Sequence, residues 1–498
     1  MKLFTKAQTV ENEEKVLERE KQQFKKMTQT PMARLIIGLG IPTTLSMMVT
    51  SLYNLADMYF VSLLGNPSAT SAASNLLALM SIIQAVGFTF GMGSGSIVSI
   101  RLGKRDREGA DTVASSSLFI AAVSGLVILL LGLLFLTPLM RLFGSIESET
   151  LRFSEIYGTY ILLAAPIMCM SFVLNNVLRA EGKAVLSMIG LIVGALVNVA
   201  LDPILIFVAD MGIRGAAVAT FASQILSFCI LLFMFLSGKT IVRMRLQSIS
   251  RKFEVYKDVI ATGFPSFCRQ ILASLCTVFL NNAAYTCGLD VYGTIEEGGV
   301  VLFHGGVAAQ TALGVVQKVF MLAFSLSLGI GQGYQPVLGY NYSAKRFDRV
   351  KSAYLFTLGF STAVMVVFGT VCFIFASNVM DIFSLTAQAK EIGKVALQLQ
   401  CLCMPLLPLN FMAGITYQSI GNKAIASLLS ISRQGLFYIP FVLILPKVLS
   451  LFGVQSCQAV SDFFAFFFAL PFTFMFFKSL KKKQAEWQKE QQTADVQV

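Results

Sequence analysis

Val185-Leu-Ser-Met-Ile-Gly-Leu-Ile-Val-Gly-Ala-Leu-Val-Asn-Val-Ala-Leu-Asp-Pro-Ile-Leu-Ile-Phe-Val208 is an apolar run interrupted near its end by an acid and a proline. A membrane-spanning helix needs about 20 predominantly apolar residues, so this stretch is long enough to cross a bilayer. A carboxylate at that depth costs roughly 2.5 to 3.5 kcal/mol on insertion scales, so Asp202 is expected to face a cavity and to serve a purpose there. The run Ile41 to Leu64 repeats the pattern with Asp57. Working outward, twelve such runs are found at about 36–64, 76–100, 112–137, 153–177, 184–208, 213–237, 256–287, 301–337, 352–376, 392–416, 422–446 and 453–477. The composition agrees: hydrophobic residues are 55%, charged residues 13% and mean hydropathy +0.71 over 498 residues, where a soluble domain carries about 25% charge. The expected fold class is an all-α polytopic membrane protein of twelve transmembrane helices.

A net charge of +12 suggests nucleic-acid binding until the basic residues are placed. With the N-terminus inside, the outer loops hold only Arg141, Arg152, Arg214, Lys390, Lys394 and Lys447, and Arg269, Lys318 and Arg433 fall inside spans. The remaining 30 of the 39 basic residues lie on the inner side, which is the positive-inside pattern with both termini cytoplasmic. The first 30 residues, with Glu13, Glu14, Lys15, Glu18, Arg19, Glu20 and Lys21, are too polar for a secretory signal and read as a frayed helical tail. The nine cysteines show no CxxC pair and no metal spacing, so they read as small apolar packing residues.

Two six-span halves repeat in tandem. Gly40-Ile-Pro-Thr-Thr in the first run returns 223 residues later as Gly263-Phe-Pro-Ser-Phe. Gly91-Met-Gly-Ser-Gly95 returns as Gly329-Ile-Gly-Gln-Gly333, and Gly182-Lys-Ala-Val-Leu-Ser187 as Asn422-Lys-Ala-Ile-Ala-Ser427. An even number of spans per half relates the halves by an axis along the membrane normal, with a solute path between them. The glycine triplets end apolar helices and follow no strand, so they read as helix-packing positions rather than phosphate cradles. The expected organisation is an N-terminal tail 1–33, a first bundle 34–237, a basic linker 238–255, a second bundle 256–478 and a C-terminal tail 479–498.

Asn198 and Asp202 are four residues apart and share a helical face. Pro203 has no N–H, which frees the carbonyl of Val199 to accept from another donor or an ion. Tyr53 and Asn54 extend the stripe of Asp57 in the same way. Were the two stripes to meet, two carboxylates would share a dry site, titrating as a unit or holding a hard monovalent cation. The plainer alternative is that each acid is satisfied by a neighbouring amide or hydroxyl. The second half has no counterpart: the positions matching Asn54 and Asp57 are Thr277 and Leu280, and Asp462 is the only acid near a span interior there. Arg269, Lys318 and Arg433, each beside a Gln, either bind an anionic solute or pair with carbonyls and snorkel. His304 has no His or Cys partner for a metal. No nucleophile elbow, zinc motif or Walker sequence is present, so no enzyme, no cofactor and no ATP use are expected.

The stretches Leu178-Arg-Ala-Glu-Gly182, Asn198-Val-Ala-Leu-Asp-Pro-Ile-Leu-Ile-Phe207, Gly212-Ile-Arg-Gly-Ala-Ala-Val-Ala-Thr220 and Gly329-Ile-Gly-Gln-Gly-Tyr-Gln-Pro-Val-Leu-Gly-Tyr-Asn-Tyr-Ser-Ala-Lys-Arg346 resemble the MATE (multidrug and toxic compound extrusion) family. With Pro42 and Asp57, the chain is similar to its MepA-like group near the DinF branch over about residues 31 to 480. The resemblance implies a V of two six-helix bundles that exports bulky, often cationic compounds in exchange for Na+ or H+ across a bacterial inner membrane. It implies a coupling-cation site at Asp57, Asn198, Asp202 and Thr220, and departs from the branch that couples through second-bundle acids. Tyr53, Asn54, Asn175, Asn176, Arg269, Gln270 and Lys318 are the candidate lining of the substrate cavity. A monomer with no nucleic-acid partner is expected. The alternative within the same superfamily is a flippase for lipid-linked saccharides, which needs basic groups facing the cavity.

Overall fold

The computed structural model describes residues 2–297, 300–383 and 386–496, with side chains except at 2–15, 54–55, 295–303 and 494–496. Among the described residues, eleven helices are long and apolar enough to cross a membrane. They are span 1 (Met32–Ser62), span 2 (Pro67–Gly103), span 3 (Arg107–Leu134), span 4 (Ser148–Ala180), span 5 (Ala184–Val208), span 6 (Ile213–Leu236), span 7 (Phe253–Tyr292), span 8 (Gly305–Ser343), span 9 (Phe347–Ile374), span 10 (Ala387–Ser419) and the continuous Lys423–Thr493. At 1.5 Å per residue that last helix would run about 105 Å, more than three times a hydrocarbon core. It is two spans, 11 and 12, meeting at Ser450, whose φ of 50° and ψ of −132° are not helical. The chain therefore makes the twelve expected crossings, and both ends lie on one face, called here the terminal face.

Local chemistry sets the helix starts. Asn66 accepts from the Ser68 amide at 2.9 Å with Pro67 in the first turn of span 2, and Asp106 accepts from the Gly109 amide at 2.9 Å to open span 3. The repeat extends to the corners. Gly212, between spans 5 and 6, has φ 53° and ψ −136°, almost the angles of Ser450 between spans 11 and 12. Three residues beyond each corner a glycine meets backbone, Gly215 against Leu205 and Gly453 against Leu445.

The two bundles form a V closed at the terminal face. A β-carbon on Gly263 of span 7 would collide with the Thr89 carbonyl of span 2, and one on Gly329 of span 8 with the backbone of Thr44 in span 1. Gly93, Gly263, Gly329 and Gly333 therefore let helices from opposite bundles touch backbone to backbone, while Gly91, Gly95 and Gly331 pack within their own bundle. Hydrogen bonds cross the same seam. Gln335 donates to Ser96 Oγ at 2.6 Å, and Arg179 of span 4 donates to Gln332 of span 8.

Three features depart from the sequence reading. The N-terminal segment is a docked helix, Lys2–Gln29, with Met27 and Thr28 fully buried rather than a frayed tail. Its last carbonyls, which have no intrahelical partner, are taken by the second bundle: Asn341 donates to Met27 O at 3.0 Å, Arg346 to Thr28 O at 3.2 Å and Arg349 to Thr30 O at 2.5 Å. Asn341, in the last turn of span 8, thus caps a helix that also touches the first bundle, where Met27 and Gln23 lie against Gly182. The linker is strapped down rather than merely solvated. Buried Glu181 accepts from the amides of Ile241 and Val242 at 3.0 and 2.8 Å, and Asp111 from that of Arg243 at 2.8 Å. Between spans 7 and 8 two short strands, β1 (Thr294–Glu297) and β2 (Val300–His304), pair antiparallel with an irregularity after Ile295. Val301 to His304, which hydropathy assigned to the start of span 8, belongs to that hairpin because its β-branched and aromatic residues suit a strand.

Candidate functional site in the first bundle

Spans 1, 4, 5 and 6 converge on one polar cluster. Asp202 is fully buried and Asn198 nearly so, one turn earlier on the same face of span 5. Pro203 ends the regular α-helix, and the next residues, Ile204–Val208, wind as a π-turn closed by Ala209 N to Ile204 O at 2.8 Å. Such a turn follows from the bond that proline cannot donate, and π-turns recur at functional sites. Across from it, the Asn198 amide donates to Thr220 Oγ1 of span 6 at 3.3 Å. Asp57 of span 1 takes the Tyr157 hydroxyl of span 4 on Oδ2 at 2.7 Å.

What remains is a surplus of acceptors. Both Asp202 oxygens, Asp57 Oδ1 and Asn198 Oδ1 are buried with no hydrogen-bond partner among the described residues. A buried polar atom left unpaired costs about 1 to 3 kcal/mol, and more when charged. Four orphan oxygens on three side chains form a site that a proton or a hard monovalent cation would satisfy, because either supplies the missing positive partner. The oxygen-rich donor set matches what such cations prefer. Tyr157, 2% exposed, is the partner that sequence reasoning missed. It is 100 residues from Asp57 along the chain and looks like any aromatic near the start of a span.

The other candidate residues divide. Asn175 and Asn176 are buried between helices of the first bundle: Asn175 donates to the Ser187 carbonyl at 3.2 Å and accepts from Arg179, which in turn reaches Gln332 across the seam, while Asn176 donates to the Phe172 carbonyl at 2.8 Å and packs on Gly91. Tyr53 is half-buried on span 1, and the side chain of Asn54 lies outside the described residues. Lys318 is exposed, its ammonium 6.0 Å from the centre of the Phe383 ring beyond the end of span 9. Arg269 and Gln270 are half-buried on span 7.

The corresponding four spans of the second bundle carry a different set of polar residues, at other positions. Spans 7, 10, 11 and 12 carry Arg269, Asn410, Arg433 and Asp462. Arg433 forms a two-pronged ion pair with Asp462, at 2.6 and 3.4 Å, and Gln458 donates a third bond to that carboxylate at 3.0 Å. Where the repeat places the counterparts of Asn198 and Asp202 stand Tyr438 and Val442, both buried. Asp462, unlike Asp202, has its positive partner built in.

A profile of the MatE family matches residues 42–204 and 299–444, with a gap that includes the end of the first bundle and the linker. The chain belongs to the MatE family. This MatE chain is 24% identical to the multidrug export protein MepA of Staphylococcus aureus (strain NCTC 8325) over 86% of its own length and 90% of that protein. It is 23% identical to MepA of Staphylococcus saprophyticus, with 86% and 90% covered. It superposes on an outward-facing multidrug resistance MATE transporter of the MOP superfamily with a TM-score of 0.84, at 27% identity, covering 92% of this chain and 98% of that one. A MOP superfamily transporter of Pyrococcus furiosus, described by a reversed polarity of its binding pocket, superposes with a TM-score of 0.83 at 26% identity, with 92% and 98% covered. The MatE chain is accordingly a multi-pass membrane transporter and not an enzyme.

Proposed function

We propose that this MatE chain is a secondary active multidrug exporter of a bacterial inner membrane, with both termini cytoplasmic. It exchanges bulky, often cationic amphipathic compounds for Na+ or H+ bound at Asp57, Asn198, Asp202 and Thr220. The observation that carries the reading is the fully buried, unpartnered carboxylate of Asp202 beside the orphan oxygens of Asn198 and Asp57. Such a group is costly unless a positive species comes and goes, and a species with different affinity for two conformations shifts the balance between them. Span 1 couples the site to the seam, because Asp57 lies on the same helix as Pro42 and as Thr44, which touches Gly329 of the other bundle. Filling the site would shift span 1 about Pro42 and so open or close the terminal face. On this reading residues 34–237 are the coupling bundle, 256–478 the second bundle, and 238–255 the linker between them.

The flippase alternative requires free cations for a lipid phosphate. Arg433 is already neutralised by Asp462 and Lys318 reaches toward Phe383, so that of the three only Arg269, without a carboxylate partner among the described residues, is left for a phosphate, one cation where a lipid pyrophosphate calls for several; this favours export. The experiment is efflux of a panel of cationic dyes from vesicles under separately imposed sodium and proton gradients. Gradient-driven efflux is expected with one ion. Absence of any gradient-dependent flux, together with tight binding of a lipid pyrophosphate, would replace the export reading with the flippase one.

A further inference from the structure

We infer that the N-terminal helix is a latch that holds the terminal face shut and must leave the second bundle before that face can open. The inference rests on the export reading, in which the two faces open in turn, and adds the part of the chain that weights one state against the other. The helix, Lys2–Gln29, precedes the spans and lies outside the segments matched by the MatE profile, yet it is bonded to both bundles. It meets the first bundle with its sides. Gln23 and Met27 lie against Gly182 at the turn between spans 4 and 5, and the Phe24 ring centre is 4.4 Å from the guanidinium carbon of Arg105, between spans 2 and 3. Arg19 donates to the Gly238 carbonyl just after span 6. It meets the second bundle with its end, where the carbonyls of Met27, Thr28 and Thr30 accept from Asn341, Arg346 and Arg349.

The end contact is chemically matched. A helix C-terminus carries about half an elementary negative charge, and its last carbonyls have no partner within the helix. Two guanidinium groups complement that charge. Asn341 between them is fully buried and fully engaged: its amide also donates to the Val337 carbonyl at 2.8 Å, and its oxygen takes Arg349 Nε at 3.1 Å.

A single helix cannot follow two bundles that move apart. If the terminal face opens, one of its two sets of contacts breaks. The first bundle keeps it, because only Thr30 and Pro31 separate it from span 1. Pro31, at φ −51° and ψ 136°, stops the two helices from merging and forms an extended corner between them. The break therefore falls at Asn341, Arg346 and Arg349. Their bonds exist only in the closed state, so they weight the balance toward it. Span 1 also carries Asp57, so a shift of that span on filling the coupling site draws on the latch across two residues.

The test places nitroxide side chains at Glu108 of span 3 and Lys351 of span 9, both exposed at the terminal face, by an unnatural amino acid that spares the nine native cysteines. Double electron–electron resonance on the chain in nanodiscs reads their separation. Two variants release the latch: Arg346→Ala with Arg349→Ala, which keeps the helix and removes its clasps, and a chain lacking residues 2–28. Each should raise the ratio of the long to the short separation about tenfold or more, the size of a lost charge-assisted hydrogen bond. In the parent, a label at exposed Lys25 should keep its distance to Glu108 in both populations and move away from Lys351 only in the long one. An unchanged ratio in either folded variant, or a Lys25 label that stays with Lys351, overturns the proposal. A raised ratio in a protein without gradient-driven efflux keeps the latch and removes the export reading. An unchanged ratio with efflux intact does the reverse.

Discussion

The two bundles share a backbone plan and differ in how their buried charge is balanced. Spans 1, 4, 5 and 6 leave carboxylate oxygens without a partner, whereas spans 7, 10, 11 and 12 close Asp462 against Arg433. The same repeat thus yields one half that needs an external positive species and one that supplies its own. On the proposed reading, an intramembrane acid is a candidate for coupling where its counter-charge is absent, as at Asp202, and a packing element where it is present, as at Asp462. Asp462 and Asp202 look alike in a hydropathy scan, and what separates them is the guanidinium 29 residues before Asp462.

The largest expected effect is in the first bundle. Asp202→Asn or Asp57→Asn should abolish gradient-driven efflux of cationic dyes while the protein still reaches the membrane folded, because side-chain volume is kept and ion linkage is lost. Retained ion-driven transport in either variant would break the comparison at its base.

Asp462→Asn tests the other half. Removing one partner of a buried ion pair leaves Arg433 uncompensated and should cost about 3 to 5 kcal/mol, read as a large drop in thermal midpoint in detergent. The double variant Arg433→Gln with Asp462→Asn should regain most of that loss. If Asp462→Asn instead leaves stability intact and alters ion dependence, the second bundle also couples.

Pro203→Ala should restore a helical hydrogen bond to Val199 and relax the π-turn at Ile204–Val208, changing the ion site without changing its charge. The expected result is a rise of about two- to tenfold in the half-maximal driving-ion concentration, a change on the order of 1 kcal/mol. An unaltered ion dependence would mean that the freed carbonyl is not used.

The smallest effect concerns the corners. Ser450 holds a backbone conformation that Gly212 adopts freely in the first half, and a non-glycine residue there is strained by about 1 to 3 kcal/mol. Ser450→Gly should stabilise the protein by about 1 kcal/mol after the added freedom of the unfolded chain is subtracted, seen as a small rise in thermal midpoint with efflux unchanged. A drop would show that the two corners are not equivalent.

Hydrophobic runs, the excess of basic residues on the side of the termini and the repeated glycine and Gly-x-Pro motifs determined the membrane class, the twelve crossings, the two halves and the acids worth attention. These are properties of a helix and its solvent, so local sequence carries them: a run is long enough or not, and residues four apart share a face whatever surrounds them. Tertiary structure alone decided which faces meet. It set Tyr157 against Asp57 across 100 residues, left Asp202 without a partner among the described residues, engaged Asn175 and Asn176 within the first bundle, paired Arg433 with Asp462, and docked the N-terminal helix onto Asn341, Arg346 and Arg349. Whether a buried charge is satisfied depends on atoms brought within about 3 Å by packing between distant spans, and no local pattern records that distance.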